Sequence, residues 1–354
     1  MKKIILFNMI FLFSLFSFSQ VKFEKPFNIY MITDSITGFT FGFDSGASRT
    51  VIFNPEKMKY KTTGFLPFNN TTGKIKFLKT VMLKEEITKT TNIDTKNIKA
   101  TILYKEGDLP NYCNLPEVLL DVRILKKHIL SFDNLRNEFN VLSKLPDDIN
   151  SFNKLDLIRN FIDKRYYVKL LINGKEEKFL VDTGSNNSIF SSNKKNLNVA
   201  QEKIYYHSLN AFKYENEFIE KYTSNTIQQG DFIFKLDEIF YSPNKNILGN
   251  SFFLNFEKVI FDFKNKAIYL KNEYSKTAIF DDEINFEIND DNEIMISIIN
   301  DKNIFYKAGF RIGDIIKFED SEFEELLKRN PCDTYLIIRD YLTNEKQLPK
   351  FIKK

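Results

Sequence analysis

Two aspartates in this chain stand in surroundings that suit acid–base chemistry. Each ends a short apolar run and is followed by a hydroxyl residue and a glycine. The two motifs are Asp44-Ser45-Gly46-Ala47 and Asp182-Thr183-Gly184-Ser185. Hydrolysis without a metal or a covalent nucleophile needs one carboxylate to deprotonate water and one carboxylic acid to protonate the attacked carbonyl oxygen. Two carboxyls about 3 Å apart cannot both ionise, so they share a proton and divide these two tasks.

Carboxyls this close require two loops that meet tip to tip, and an internal repeat predicts such a pair. Each motif is preceded by an apolar run with a turn, and followed much later by an apolar pair and a Phe-Asp strand. The downstream matches are Leu119-Leu120-Asp121 with Phe132-Asp133, and Ile247-Leu248-Gly249 with Phe261-Asp262. One such motif alone is equally typical of a β-turn. Its repetition favours two meeting loops, in which glycine allows close approach and Ser45 and Thr183 hydrogen-bond across the junction.

The composition narrows the remaining classes of function. A chain of 354 residues with 43% apolar residues and a net charge of +4 has an ordinary globular composition, and its scattered lysines predict no nucleic-acid partner. The two cysteines, Cys113 and Cys332, are too few for a disulfide framework, and we interpret them as isolated thiols. The two histidines, His128 and His207, belong to no zinc motif. We therefore expect no metal and no cofactor.

The N-terminus has the features of a signal peptide. Met1–Lys3 is positively charged, Ile4–Phe18 is almost wholly apolar, and Ser17 and Ser19 place small residues before a cleavage point near Gln20. Residues 1–19 are therefore predicted to direct export to a periplasm or to the extracellular space, with no stable membrane insertion after cleavage. A retained membrane anchor is the alternative, for which the apolar stretch is slightly short.

These motifs resemble the aspartyl peptidase superfamily of pepsin and the retroviral proteases, and most closely the bacterial retropepsin-like proteins with a C-terminal PDZ domain. The family motif D-[ST]-G-[AS] is matched at Asp44 and at Asp182, and the supporting hydrophobic-hydrophobic-Gly is matched by Ile247-Leu248-Gly249. In the first copy Asp121 replaces that glycine, which leaves open whether the first lobe is fully built for catalysis. The resemblance implies a mainly β fold with two retropepsin-like β-barrel lobes and a small C-terminal PDZ-like domain.

The expected domains follow from this resemblance and from the composition along the chain. They are lobe 1 at 20–145, an interlobe linker helix at 146–163, lobe 2 at 164–275 and the PDZ-like domain at 280–354. A β-hairpin flap closes over the substrate in the superfamily. The candidates are Thr63–Gly73 in lobe 1, which is equally typical of a plain surface loop, and His207–Tyr214 in lobe 2.

The C-terminal segment carries the signature A-G-[hydrophobic]-x-x-G-D-x-I of a PDZ domain. The matching positions are Ala308, Gly309, Gly313 and Asp314. A helix is predicted at Ser321–Arg329, with Phe323 and Leu326-Leu327 facing inward, and a strand at Thr334–Arg339. PDZ domains bind extended peptides at a sheet edge. This segment lacks a glycine-rich carboxylate loop, so a purely structural module is an equal alternative.

The sequence thus predicts an exported, monomeric aspartic endopeptidase that acts on a peptide or protein substrate through Asp44 and Asp182. Ser185 can donate its hydroxyl to Asp182, whereas Ala47 has none to donate to Asp44, so Asp182 is expected to be the more easily ionised carboxyl. One alternative is a non-catalytic peptide-binding envelope protein with the same fold. Another is a dimer in which Asp182 pairs with its own symmetry mate.

Overall fold

The computed structural model of the protein describes residues 21–23, 29–69, 75–91, 93–102, 116–185, 188–210, 213–236, 238–243, 245–273, 284–288, 293–329 and 351–353. The predicted signal peptide, both cysteines and the strand expected at Thr334–Arg339 lie outside the described residues. Within these ranges, no helix is both long enough and apolar enough to cross a membrane.

The protein is mainly β, and this part of the fold prediction is confirmed. The N-terminal elements are β1 (Val21–Lys22), β2 (Met31–Thr33), β3 (Thr40–Asp44), β4 (Thr50–Ile52), β5 (Tyr60–Asn69), β6 (Ile75–Leu83), β7 (Lys99–Ile102), β8 (Val118–Asp121) and helix α1 (Val122–Leu125). Strands β2 to β8 form one sheet in the order β2-β3-β8-β4-β7-β6-β5. This sheet and α1 are called the first half.

The middle of the chain contains a connecting region and a second set of strands. The connecting strands are β9 (Ile129–Asp133), β10 (Glu138–Leu142) and β11 (Asn153–Arg159). The second half consists of β12 (Tyr166–Ile172), β13 (Lys175–Asp182), β14 (Ile189–Ser191), β15 (Val199–Asn210), β16 (Lys213–Thr223), β17 (Asn225–Gln229), β18 (Phe232–Leu236), β19 (Ile239–Tyr241), β20 (Ile247–Gly249) and α2 (Asn250–Phe253).

The C-terminal elements complete the fold. They are β21 (Phe256–Asp262), β22 (Ala267–Glu273), β23 (Ile284–Ile288), β24 (Ile294–Asn300), α3 (Ile304–Lys307), β25 (Ile315–Phe318), α4 (Ser321–Arg329) and β26 (Phe351–Lys353). The elements from β23 to β26 are called the C-terminal module. Its buried core contains Ile296, Ile316 and Leu327 and is separate from the core that the two halves share.

The two halves repeat the same strand pairings, as the sequence repeat suggests. In the first half β3 runs parallel to β8, while β4 pairs with β8 and β7. In the second half β13 runs parallel to β20, while β14 pairs with β20 and β19. A long hairpin follows in each half, β5–β6 and β15–β16, and a register shift interrupts the base of both. Equivalent strands therefore hold Asp44 and Asp182.

The hairpin that precedes Asp182 illustrates how the sequence specifies these strands. Residues of β13 are buried at alternate positions, Glu177, Phe179 and Val181, which is the period of a strand with one face against a core. Its turn, Asn173-Gly174, has φ of 48° and 82°. Both values lie in the left-handed region that a two-residue hairpin turn requires and that asparagine and glycine tolerate.

A central sheet joins the halves. Strand β9 pairs with β10 on one side and with β21 on the other, β21 pairs with β22, and β22 pairs with β11. Strand β1 extends this sheet beside β10. Phe132 of β9 lies at its centre, stacked on Tyr30 with ring centroids 3.9 Å apart and in edge contact with Phe261 at 5.8 Å. Buried aromatic contacts therefore link the residue before β2 with strands β9 and β21, which are far apart in the sequence.

The prediction of a linker helix at 146–163 is wrong. A short 3₁₀ turn at Ile149–Ser151 is followed by strand β11, which pairs with β22 and with β12. Leu155 and Leu157 are buried at alternate positions, so their spacing is that of a strand. Phe161 and Ile162, apolar residues near the end of this segment, are 86% and 89% exposed, so they form no buried helix face. The segment forms a strand because it pairs with the edges of β12 and β22, and the local sequence does not reveal these edges.

The C-terminal module agrees with the expected secondary structure over its described part. Helix α4 is present and buries Phe323 and Leu327, but Leu326, also expected to face inward, is 45% exposed. Strand β24 pairs with β23 and β25, and it also pairs with β15 of the second half. The module thus extends the sheet of the second hairpin, and Tyr205 stacks on Tyr306 beside this junction at 5.2 Å.

The two long hairpins therefore differ in their outer edges. Among the described residues β5 ends its sheet, whereas Ile204–Tyr206 of β15 is covered by β24. We predict that amides of β5 exchange hydrogen with solvent faster than those of Ile204–Tyr206, because exchange follows local opening and an edge strand has fewer pairings to break. Hydrogen exchange with mass spectrometry checks this, with β6 and β16 as internal controls of similar protection. Equal exchange in β5 and β15 would show that the β15–β24 pairing does not persist in solution.

Candidate active site

The two Asp-containing loops meet at the junction of the halves. Asp44 is the last residue of β3 and Asp182 is the last residue of β13. A Cβ atom built on Gly46 would lie 2.4 Å from Cγ of Asp182, and one built on Gly184 would lie 2.6 Å from Cγ of Asp44. Each glycine thus packs against the carboxyl of the opposite loop, where no larger residue fits. The two carboxyls are close enough to share a proton, since each shifts the pKa of the other.

Hydroxyl groups hold the two loops in a reciprocal contact. The amide of Ser45 donates to Oγ1 of Thr183 at 3.0 Å, and the amide of Thr183 donates to Oγ of Ser45 at 3.0 Å. Each hydroxyl also donates across the junction, Ser45 to the carbonyl of Val181 and Thr183 to the carbonyl of Phe43, both at 2.8 Å. All four bonds are buried, so the loops satisfy one another's polar groups without water.

Burial and mutual repulsion shift the ionisation of the pair. Burial raises the pKa of Asp44 well above its ordinary value, and the charge of Asp182 and their shared hydrogen bond raise it further, against the amides of Ala47 and Gly46. Burial also raises the pKa of Asp182. The hydrogen bond from Asp44, the Gly184 amide, the charge of Arg165 and the Ser185 amide oppose that rise. The groups around Asp182 therefore favour its ionised form more than the groups around Asp44 favour that of Asp44.

The sequence analysis also expected Asp182 to ionise more easily than Asp44, but for a different reason. The argument from the sequence invoked the hydroxyl of Ser185, whereas the contribution of Ser185 comes from its main-chain amide. The other groups that favour the charged form are the Gly184 amide, 3.1 Å from Oδ1 of Asp182, and the guanidinium of Arg165. Both aspartates keep part of their surface exposed, so a water molecule has access to the pair.

The strands behind the loops are equivalent in the two halves. Asp44 lies beside Asp121 of β8, and Asp182 lies beside Gly249 of β20. Leu248, the apolar residue before Gly249, is fully buried, and the partly buried Ile247 pairs with Leu180. Main-chain bonds tie each loop to the following helix: the amide of Val122 donates to Ala47, and the amide of Asn250 donates to Ser185.

The structure explains why an aspartate is tolerated at position 121. Asp121 and Gly249 have φ of −83° and −89°, in a region that any residue adopts, so the backbone does not require glycine here. The buried Asp121 carboxylate accepts hydrogen bonds from Oγ1 of Thr50 at 2.8 Å and from Nε and Nη2 of Arg123 at 2.9 and 2.8 Å. The carboxylate that Asp121 introduces in place of a glycine is therefore hydrogen-bonded and ion-paired within the first half.

The remaining candidate residues lie elsewhere. The residues of the PDZ-like signature, Ala308, Gly309, Gly313 and Asp314, lie between α3 and the start of β25. Gly309 and Gly313 have φ of 97° and 82°, a conformation that favours glycine. His128 follows α1 and is partly buried, and burial together with the Lys127 charge lowers its pKa. Over the described ranges, no group of three or more His, Cys, Asp or Glu residues is placed to hold a metal.

Two functional neighbours escaped the sequence analysis. Arg165 donates from Nη1 to the carbonyl of Gly46 at 3.3 Å, and Asp163 binds the rest of its guanidinium. Asp163 is the last residue of the segment interpreted as a linker helix, and Arg165 lies two positions later. Because of that interpretation, their position next to β12 was not recognised. A strand assignment for β11 would have identified both residues as part of the turn region of a β11–β12 hairpin.

The comparisons with known proteins add no family assignment. Neither a scan against protein-family models nor a search of curated proteins finds a match for this chain.

The reciprocal hydroxyl contact leads to a stability prediction. Thr183→Ala removes the hydroxyl that accepts from Ser45 and donates to Phe43, leaving two buried polar groups unpaired. We expect the free energy of unfolding to fall by about 2–6 kcal/mol, at about 1–3 kcal/mol for each of the two unsatisfied groups. Thr183→Ser is the matched control, because it also loses the methyl group but keeps the hydroxyl. Denaturant unfolding of both variants checks this, and equal losses would contradict a role for the hydroxyl.

The buried Asp121–Arg123 pair predicts a pH-dependent contribution to stability. Burial opposes ionisation, but the bonds and charge of Arg123 lower the pKa of Asp121 below its ordinary value. The contribution is therefore present above the unfolded pKa of about 3.9 and is lost as pH falls through the folded pKa. We expect Asp121→Asn to cost about 1–2 kcal/mol at neutral pH, less than a fully buried pair because the guanidinium is partly exposed.

Unfolding curves between pH 3 and pH 7 test this expectation. Asp147→Asn is a suitable control, because Asp147 is a surface carboxylate with its side chain 92% exposed. The difference between wild type and Asp121→Asn should shrink towards the acidic end of the range. A difference that stays constant with pH would mean that ionised Asp121 is not its source.

Proposed function

We propose that this protein is an exported aspartic endopeptidase with two retropepsin-like lobes and a PDZ-like C-terminal module. The observation that carries the proposal is the junction itself. Two equivalent loops bring the carboxyls of Asp44 and Asp182 together, with each loop glycine packed against the opposite carboxyl. A protein that needed these loops only as turns would have no reason to place two carboxyls this close, because two ionised carboxyls repel each other.

The chemistry follows from the unequal ionisation of the pair. Asp182 accepts a proton from a water molecule as the water oxygen attacks the peptide carbonyl carbon, and Asp44 donates its proton to the carbonyl oxygen. The product is a neutral tetrahedral diol. Asp182 then gives its proton to the departing nitrogen while Asp44 recovers one from a hydroxyl of the diol, and the C–N bond breaks. Both carboxyls return to their initial states without a cofactor.

One chain supplies both halves of this site, and this supports a monomer. The Asp44 loop and the Asp182 loop already satisfy each other through the bonds of Ser45 and Thr183. A dimer that paired Asp182 with its own symmetry mate would have to break those contacts. The peptide or protein substrate would lie between the paired carboxyls and the long hairpins.

The two hairpins have different roles in this proposal. The β5–β6 hairpin is the flap that opens and closes, because its outer strand β5 carries no further strand among the described residues. The β15–β16 hairpin is held by β24 and by the stack of Tyr205 on Tyr306. The C-terminal module then acts as a structural support for the second hairpin. The residues at both hairpin tips, 70–74 and 211–212, lie outside the described ranges.

The dyad predicts the outcome of a simple comparison. Asp44→Asn and Asp182→Asn should each reduce cleavage of a peptide library by about 10³-fold or more, since each removes one member of the acid–base pair. Activity of wild type should be bell-shaped in pH, because one carboxyl must be ionised and the other protonated. Peptide cleavage followed by mass spectrometry across a wide pH range is the measurement, with Asp147→Asn as a surface control.

Two outcomes would contradict the proposal. Equal activity in wild type and both Asn variants would exclude the dyad. A folded wild type that binds peptides but cleaves none at any pH would favour the non-catalytic peptide-binding protein. The second outcome is informative only with a check of folding, for which the unfolding transition of wild type serves.

A further inference from the structure

Arg165 occupies a position that the repeat does not duplicate. It lies immediately before β12, where Nε and Nη2 bind Oδ2 of Asp163 at 3.1 and 3.0 Å and its own amide donates to Oδ1 at 3.0 Å. The hydroxyl of Tyr167 donates to the same carboxylate at 2.7 Å. These bonds fix the guanidinium in one orientation, so its remaining nitrogen has a defined direction.

That remaining nitrogen reaches across the junction between the halves. Nη1 of Arg165 donates to the carbonyl of Gly46 at 3.3 Å. Gly46 in turn packs directly against the carboxyl of Asp182. A cation from the second half is thus attached to the loop of the first half, close to the carboxyl of the second half. Its charge favours the ionised form of Asp182.

The register of the strands shows which residue of the first half corresponds to Arg165. Leu180 pairs with Tyr167, and the corresponding Gly42 pairs with Met31. Two residues before these partners stand Arg165 in the second half and Ile29 in the first. A cation beside one carboxyl and an apolar residue at the matching position of the other break the symmetry of the pair. An opposite charge nearby stabilises the ionised form of a carboxyl, and an apolar neighbour does not.

We propose that Arg165 is a positioning residue that assigns the negative charge of the dyad to Asp182 and so leaves the shared proton on Asp44. This inference rests on the proposed peptidase function, because it concerns the division of tasks within the same site. Arg165 itself lies outside both motifs.

The other charged groups around the pair are consistent with this assignment. Asp163 is ionised, since its donors hold its pKa below the ordinary value despite burial, and it offsets part of the Arg165 charge. Tyr167 remains neutral at physiological pH, because burial and its bond to Asp163 raise its pKa. On the first half, the charge of Asp121 is balanced by Arg123. Strand β20, behind Asp182, contains no ionisable residue.

Two variants should move the dyad in opposite directions. Arg165→Gln keeps a hydrogen-bonding side chain but removes the cation, so the lower apparent pKa of the dyad should rise by about 0.5–1 unit. Activity requires ionised Asp182, so the acidic limb of the pH profile of kcat/KM should move to higher pH. Asp163→Asn leaves the Arg165 charge uncompensated, so the same limb should move to lower pH. Arg165→Lys should restore most of the shift because it restores the charge.

The pH profile and a direct titration of the full chain together test the inference. Carboxyl signals of ¹³C-aspartate-labelled protein are followed by NMR in wild type, the three variants and Arg159→Gln, a control on the exposed part of the same hairpin. The inference would be overturned if Arg165→Gln lost activity equally at every pH while the acidic limb of the pH profile and the carboxyl titrations stayed unchanged. Arg165 would then have only a structural role. The titrations need no turnover. If wild type cleaves nothing, the proposed function fails. The role of Arg165 is then still supported if the carboxyl titrations move in the variants, and it is overturned if they do not move.

Discussion

The contact between the two Asp loops is the constraint on which the rest of the structure depends. Each loop places a glycine against the opposite carboxyl and a hydroxyl against the opposite amide. These contacts form only if the two loops have matching positions and orientations at the junction. The repeated pairing of β3 with β8 and of β13 with β20 provides that direction, and the central sheet keeps the two halves at a fixed distance. Buried carboxyls are unfavourable alone and become tolerable here by sharing a proton.

The repeat is symmetric in its backbone and asymmetric in its charges. Asp121 and Gly249 share one backbone conformation, yet only the first carries a carboxylate, which accepts a hydrogen bond from Thr50 and is neutralised by Arg123. The second half has Arg165 where the first has Ile29. A duplicated fold can diverge in this way because side chains at equivalent positions change without moving the strands. Such differences allow two aspartates in equivalent loops to differ in how readily they ionise.

The same divergence affects the long hairpins. Both hairpins have the same origin in the repeat and the same register shift near their base. The C-terminal module adds β24 to one of them, and the buried core of the module remains its own. An edge strand that gains a partner loses freedom to open, since its main-chain groups become paired. Among the described residues, the module therefore adds main-chain pairing to one hairpin and not to the other.

Much of the site followed from the sequence alone. The two Asp motifs, their supporting apolar pairs and the Asn173-Gly174 turn are local patterns, and local patterns specify strands and turns through side-chain period and backbone preference. The helix at Ser321–Arg329 was predictable for the same reason. The segment at 146–163 was not, because its strand conformation depends on the edges of β12 and β22, which are distant in sequence.

The tertiary structure alone decided how the two aspartates differ. The sequence showed two nearly equivalent motifs and suggested Ser185 as the source of any difference. The assembled fold brings Arg165 to Gly46, 119 positions apart, and supplies Asp121 with Thr50, 71 positions away. Electrostatic effects depend on distance in space and on burial, and neither quantity is a property of the local sequence. Two short motifs thus specify the carboxyl pair, and the packing of the two halves determines how that pair ionises.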